Sequence, residues 1–137
     1  MDARPDPDGL VTVASRHDVH ATLDRLVGAL KAGGATLFAV IDHAAGAKEA
    51  GLDLAPTTVV VFGDPRAGTA LMLARQSVGI DLPLKVLVWR DEAGAAQLSY
   101  NDPAWIARRH GLDPEALPNV ARMAAMLATL IARVAQA

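Results

Sequence analysis

No cysteine occurs among the 137 residues, which excludes a disulfide framework, thiolate metal sites and a cysteine nucleophile. Aromatic residues are scarce, with two Trp, two Phe and a single Tyr. No Lys/Arg cluster interleaves them, so no base-stacking platform is expected. Charge is close to balanced, 13 basic against 15 acidic residues for a net of -2. Without a positive field, no nucleic-acid partner is expected. A long apolar run is also missing. The most apolar stretch, residues 120 to 134, is interrupted by Arg122 and Arg133 and falls short of the roughly 20 residues a bilayer core requires. No membrane partner is expected. Residues 1 to 9, MDARPDPDG, are polar and turn-prone, unlike a secretory signal, and the expected location is cytoplasmic.

Apolar residues make up 52% of the chain, but alanine supplies much of that figure. What remains is an ordinary supply of branched and aromatic side chains for one core. A chain of this length buries about two thirds of its unfolded surface, enough for one domain without staples. Residues 1–9 read as a disordered N-terminal segment, 10–112 as a single α+β domain, and 113–137 as a C-terminal amphipathic helix.

Within the domain, Leu10–Ala14 reads as a strand. Ser15, with Asp18 three residues on, then offers a helix start, and the helix runs through Val19, Leu23, Leu26, Val27 and Leu30 to a stop at Gly33 and Gly34. Ala35–Ile41 is a strand without clean alternation, so partial cover on both faces is expected. A short helix over 44–50 and a β-branched strand over 57–62 follow. Gly63, Asp64 and Pro65 break that strand, and Ala67–Gln76 returns to helical spacing. Strands at 84–90 and 95–100 flank Asp91–Gly94, a hairpin turn with Gly94 at the left-handed position. Asp102–Pro103 and Asp113–Pro114 are each a cap followed by proline at the first helical position. Val120, Met123, Leu127, Leu130, Ile131 and Val134 form the stripe of the last helix. It covers either its own domain or a second subunit.

The order β-α-β-α-β-α-β-β-α-α, with its hairpin, excludes a purely parallel sheet. It implies an α+β two-layer sandwich, a mostly antiparallel sheet with helices packed on one face.

Five blocks, FAVIDHAA (38–45), GLDLAPT (51–57), VFGDPRAGTALM (61–72), DLPLKVLVW (81–89) and LSYNDPAWIARRHGL (98–112), resemble domain of unknown function 302 over about residues 10 to 112. The resemblance implies a TATA-binding-protein-like α+β sandwich, a small homodimer and no established reaction. It departs from the family at Asp64, commonly Asn, and at Ala70, often Pro. The last helix lies beyond the resemblance.

Four groupings are candidates for chemistry. Asp42 and His43 at one strand end, Asp81 before another strand, and Tyr100 and Asn101 at a third strand's end would line a rim pocket if those ends meet. A carboxylate beside an imidazole fixes its tautomer for acid-base work. The plainer reading makes Asp42 and Asn101 or Asp102 helix caps. Gly63, Arg66, Gly68 and Thr69 stand between strand and helix, where backbone N–H groups and the guanidinium would hold an anion. Thr69 where a phosphate loop needs lysine excludes nucleotide hydrolysis, and a plain turn is the alternative. His17, His20 and Asp24 share a helix face, as metal ligands do, but read better as solvated surface, so no metal and no cofactor are expected. Ser15, Ser77 and Ser99 sit in no GxSxG elbow.

These readings describe a homodimeric small-molecule or anion-binding module with a rim pocket near Asp42 and His43. The alternatives are a small hydrolase or isomerase-like enzyme using His43 as general base, oriented by Asp42 or Asp81, and an assembly domain acting through the C-terminal helix.

Overall fold

In a computed structural model, which describes residues 5–136, five strands form one open sheet: β1 (Leu10–Ala14), β2 (Thr36–Asp42), β3 (Thr57–Gly63), β4 (Leu84–Arg90) and β5 (Ala96–Asn101). Their order is β1-β5-β4-β3-β2, and every neighbouring pair is antiparallel. The helices are α1 (Val19–Ala32), α2 (His43–Glu49), α3 (Pro65–Ala74), α4 (Pro103–Arg109) and α5 (Pro118–Gln136), with 3₁₀ turns at Gln76–Ile80 and Pro114–Ala116. Among the described residues no helix is long and apolar enough to cross a membrane.

Strand alternation divides the side chains between two faces. Val60, Phe62, Val86, Val88, Leu98, Tyr100, Val11 and Val13 are buried on one. Against that face lies a helical layer in which Leu26 and Leu30 of α1 and Val120, Met123, Leu127, Ile131 and Val134 of α5 are also buried. α5 packs on α1, α4 and β1, so its apolar stripe is spent inside the subunit. Arg25 of α1 fixes the far end of α5, donating from Nε to the Val134 carbonyl at 3.0 Å and from Nη2 to that of Arg133 at 3.1 Å. Those are helix C-terminal carbonyls in need of donors.

Among the described residues the opposite face has no comparable helical layer, and α2 touches β3. In register across it stand Ile41, Val59, Leu87, Ser99 and Thr12, flanked by Ala39, Val61 and Lys85 on one side and Thr57, Trp89 and Gln97 on the other. Trp89 Nε1 donates to Ser99 Oγ at 2.9 Å, and Ser99 shares a 2.8 Å hydrogen bond with Thr12 Oγ1.

Local details depart from the sequence expectations in three places. The cap of α1 is Asp18, which accepts from the Ala21 N–H, whereas Ser15 Oγ accepts from the His17 N–H and bonds Thr22. The helix starts at Val19, and Asp18 is the residue adjacent to its first turn. β2 is an edge strand rather than a covered one. A bulge between Leu37 and Ala39 interrupts its alternation, leaving Phe38 49% and Ile41 46% exposed. α3 begins two residues earlier than its spacing suggests, because Asp64 caps it and Pro65 takes the first helical position, the same device as Asp102–Pro103 and Asp113–Pro114.

Of the segment read as disordered, residues 1–4 lie outside the described residues, and Asp6–Gly9 forms a turn. Asp6 Oδ1 accepts from the N–H groups of Asp8 and Leu10, and its carbonyl accepts from that of Gly9. Gly9 has φ +83 and lies so close to Trp105 that an added Cβ would stand 2.3 Å from the ring. Gly94, in the expected bulged hairpin turn, has φ +88 with nothing within 4 Å of an added Cβ. Gly9→Ala therefore combines left-handed strain with overpacking, about 2–4 kcal/mol, while Gly94→Ala carries the strain alone, about 1–2 kcal/mol. Urea unfolding of the two variants should show that order. Equal losses would mean the turn moves away from Trp105.

Candidate functional site

Antiparallel pairing decides which loops can meet. β2, β4 and β1 run one way, β3 and β5 the other. The start of β4 and the ends of β3 and β5 therefore share one end of the sheet, and the end of β2 lies at the opposite one. Asp81, Tyr100, Asn101 and the Gly63–Thr69 loop gather at the first end. Asp42 and His43 stand at the second. Asp42 is in register with Thr58, Val88 and Leu98, so Asn101 is three strands across and three residues along. At about 4.8 Å per strand and 3.4 Å per residue, that is about 18 Å between Cα atoms. The five rim residues do not form one pocket. Asp42 instead caps α2, accepting from the Ala45 N–H at 2.9 Å, and His43 is exposed in its first turn.

The Gly63–Thr69 loop is similarly committed. Asp64 Oδ1 accepts from the Arg66 N–H at 3.0 Å, placing a carboxylate where an anion would sit. Neither glycine has a positive φ, and a Cβ at either would make only ordinary van der Waals contacts. A Cβ at Gly63 would meet Phe38 and Pro83 at 3.7 Å, and one at Gly68 would meet Leu82 at 3.6 Å. Arg66 and Thr69 are exposed.

Asp81 is where side chains converge. It follows the 3₁₀ turn Gln76–Ile80, opposite the last turn of α4. His110 Nε2 lies 2.6 Å from its Oδ2, and Arg109 Nη1 donates to its Oδ1 at 2.7 Å. On the other side of the ring, His110 Nδ1 is 2.8 Å from Ser77 Oγ. The His110 and Asp81 side chains are only 9% and 11% exposed, against 50% for Arg109, while Ser77 is exposed. Arg109 also lies over the Trp105 ring, 5.9 Å from its centroid. A carboxylate only accepts, so in the neutral ring Nε2 carries the hydrogen and Nδ1 accepts from Ser77.

Of these residues the sequence pointed only to Asp81. His110 reads as the end of a helix before Gly111, and Ser77 sits in no nucleophile motif. A histidine and an aspartate near the ends of neighbouring antiparallel segments were the available signal, and it needed the strand order to be used. Among the described residues no group of three His, Asp or Glu is placed to hold a metal ion. His20 and Asp24 form an exposed ion pair at 3.4 Å.

α3 and the start of α5 enclose an open cleft of about 190 Å³ lined by Ala70, Leu71, Leu117, Pro118, Asn119 and Arg122. Arg122 Nη1 donates to Asn119 Oδ1 at 3.1 Å.

Tyr100, 7% exposed, turns its ring to the helix side of the sheet. Burial, and to a lesser degree the Asp102 charge, push its phenol up from the usual value. It is the single tyrosine, so the ultraviolet absorbance of phenolate reports it alone. Its midpoint should lie above the ordinary value of about 10 when folded and return there in denaturant. The sign follows: the stability tied to the neutral phenol is complete below about pH 10 and lost as pH rises through the folded value. Asp102→Asn, which keeps a good cap, should lower the midpoint partway. An unaltered midpoint would remove Asp102 as a cause.

Comparison with known proteins fits this fold. A crystal structure of an uncharacterized conserved protein DUF302 from Bacillus stearothermophilus superposes with a TM-score of 0.81 at 22% identity, covering 92% of this chain and 98% of that one. The chain is also 50% identical over 104 residues to fluoride-specific ion channel FluC 1 of Brucella suis biovar 1 (strain 1330) and to the protein of the same name in Brucella abortus biovar 1 (strain 9-941). The match takes in 76% of this chain but only 41% and 38% of those proteins, so the chain spans about two fifths of their length. The model of the family described as domain of unknown function DUF302 matches residues 11–130, reaching beyond residue 112 into α5. By that match the chain belongs to the DUF302 family.

Proposed function

We propose that this chain is a homodimeric module that binds a small molecule or anion, pairing through the sheet face that carries no helical layer. The observation that carries the pairing is the apolar character of that face, where Ile41, Val59, Val61, Leu87 and Trp89 lack the cover their counterparts on the other side receive. Five strands at about 4.8 Å and six residues at about 3.4 Å make a face of roughly 24 by 20 Å. With side-chain relief and the exposed Leu52 and Leu54 in the loop leading into β3, this approaches the roughly 800 Å² each partner buries in a standard interface. The α5 stripe offers no comparable surface, because it is buried within the subunit.

The ligand end is the one that holds Asp81. Arg109 binds Asp81 directly and Arg75 lies against Gly111 beside it, while the cleft of 190 Å³ that Arg122 lines between α3 and α5 suits a small ion rather than a drug-sized ligand, whose sites start at about 300 Å³. The names of the curated relatives connect matched sequence with an anion, fluoride. Conduction itself is not assigned to this chain, since spanning a bilayer requires apolar helices or a closed barrel, and this sheet is open.

Light scattering should give the mass of two chains, and Val59→Asp or Leu87→Asp should give one chain with an unchanged circular dichroism spectrum. A wild-type monomer at micromolar concentration overturns the pairing. Fluoride and phosphate, titrated separately, should raise the thermal midpoint, an ion at a hundred times its dissociation constant adding about 2.7 kcal/mol. Arg122→Ala should abolish the rise, and no rise with either ion overturns the anion reading.

A further inference from the structure

We infer that Ser77, His110 and Asp81 form an acyl-transfer site, with Ser77 the nucleophile, acting on small carboxylic esters that carry a negative charge. The inference rests on the Asp81 end as the ligand end but not on pairing of the sheet faces. A serine hydroxyl becomes a nucleophile when a base stands within hydrogen-bond reach and a third group orients that base. Here the reach is 2.8 Å from Ser77 Oγ to His110 Nδ1, and the orienting contact is 2.6 Å from His110 Nε2 to Asp81 Oδ2. The more usual assignment has serine on Nε2 and aspartate on Nδ1. Conjugation through the ring lets either nitrogen accept while the other donates, so the reversal leaves the proton transfer intact in kind.

Exposure is distributed as the chemistry requires. The ring and carboxylate are nearly dry, which strengthens their mutual interaction, while Ser77 faces solvent where a substrate can reach it. The charge of the substrate follows from Arg75. A Cβ at Gly111, next to His110, would stand 3.6 Å from Arg75 Nη1 and 3.8 Å from Nη2. Among the described residues Arg75 has no hydrogen-bond or carboxylate partner for that group. It is the available cation beside the site, since Arg109 is held by Asp81.

In the reaction, Ser77 Oγ attacks the ester carbonyl carbon as its proton passes to His110 Nδ1. The tetrahedral oxyanion collapses, the bond to the alcohol oxygen breaks, and His110 returns the proton to the departing alkoxide. Water then attacks the acyl-serine with His110 again as base, releasing the carboxylic acid and restoring Ser77.

The test uses the full chain with phenylmethylsulfonyl fluoride, para-nitrophenyl acetate and para-nitrophenyl hemisuccinate. A single sulfonyl adduct is expected on the peptide containing Ser77. Nitrophenolate release should fall about 100-fold or more in Ser77→Ala and in His110→Gln, with unchanged circular dichroism. Arg75→Ala should raise KM for the hemisuccinate and leave that for the acetate unaltered. Asp81 acts through His110 and is a positioning residue. The charged groups around that ring are Asp81, Arg109 and Arg75. Asp81→Asn should lower kcat for para-nitrophenyl acetate and leave its KM unaltered, and Asp81→Glu should restore part of the rate. Absence of an adduct, or hydrolysis by Ser77→Ala at the wild-type rate, overturns the acyl-transfer site. Mass in solution is read separately, so a dimer without an adduct loses the chemistry and keeps the pairing.

Discussion

Antiparallel pairing sends every loop of this chain to one of two ends of a sheet, while strand alternation sends every side chain to one of two faces. The rest of the structure depends on those two assignments. β3, β4 and β5 place Val60, Phe62, Val86, Val88 and Leu98 on one side with no exposed surface. That side demands a helical layer, and α1 and α5 supply it with stripes of matching width. The opposite side receives residues of the same apolar character at Val59, Val61, Leu87 and Trp89 but no comparable layer. Asymmetric cover of a sheet whose two faces are similarly apolar is the physical basis for assigning a partner to the barer one.

The loop assignment determines where chemistry can occur. A one-carboxylate network needs donors from separate segments, and only segments sharing an end of the sheet can provide them. The turn after α3 brings Ser77 and Asp81 to the end where β5 hands over to α4, and α4 is short enough that Arg109 and His110 in and after its last turn face that turn. Asp42 and His43, adjacent in sequence, are removed from this end by strand direction alone.

What was legible in the sequence follows from the range of each interaction. Caps and turns are local, so Asp102–Pro103, Asp113–Pro114 and the Gly94 turn could be read from a few residues. The two-layer arrangement follows from the order of the elements and the hairpin, and the stripe of the last helix, residues 120–134, reports its buried face. The β2 bulge was not legible: Phe38, Val40 and Ile41 are apolar whichever way they point, and only pairing with β3 shows that alternation breaks at Leu37/Ala39. The rim pocket failed for a related reason. Strand ends meet at one rim in a parallel sheet, whereas in this antiparallel order they alternate between two ends. His110 and Ser77 are 33 residues apart, with nothing in the intervening spacing to join them.

The contacts at Asp81 have a mechanical role as well as a chemical one, and the two can be separated by residue. Asp81 joins the 3₁₀ turn to the end of α4 through two charge-assisted contacts, and removing it would leave the nearly buried His110 nitrogen without a partner, a cost of about 1–3 kcal/mol. Ser77 is different. Its hydroxyl is exposed and can be satisfied by water, so its hydrogen bond to His110 adds little to the junction. With Nε2 held by Asp81, the rigid ring directs the Nδ1 lone pair at the Ser77 hydroxyl. The stability of the junction is thus carried by the Asp81 side of the ring, which leaves the Ser77 side free to serve a reaction.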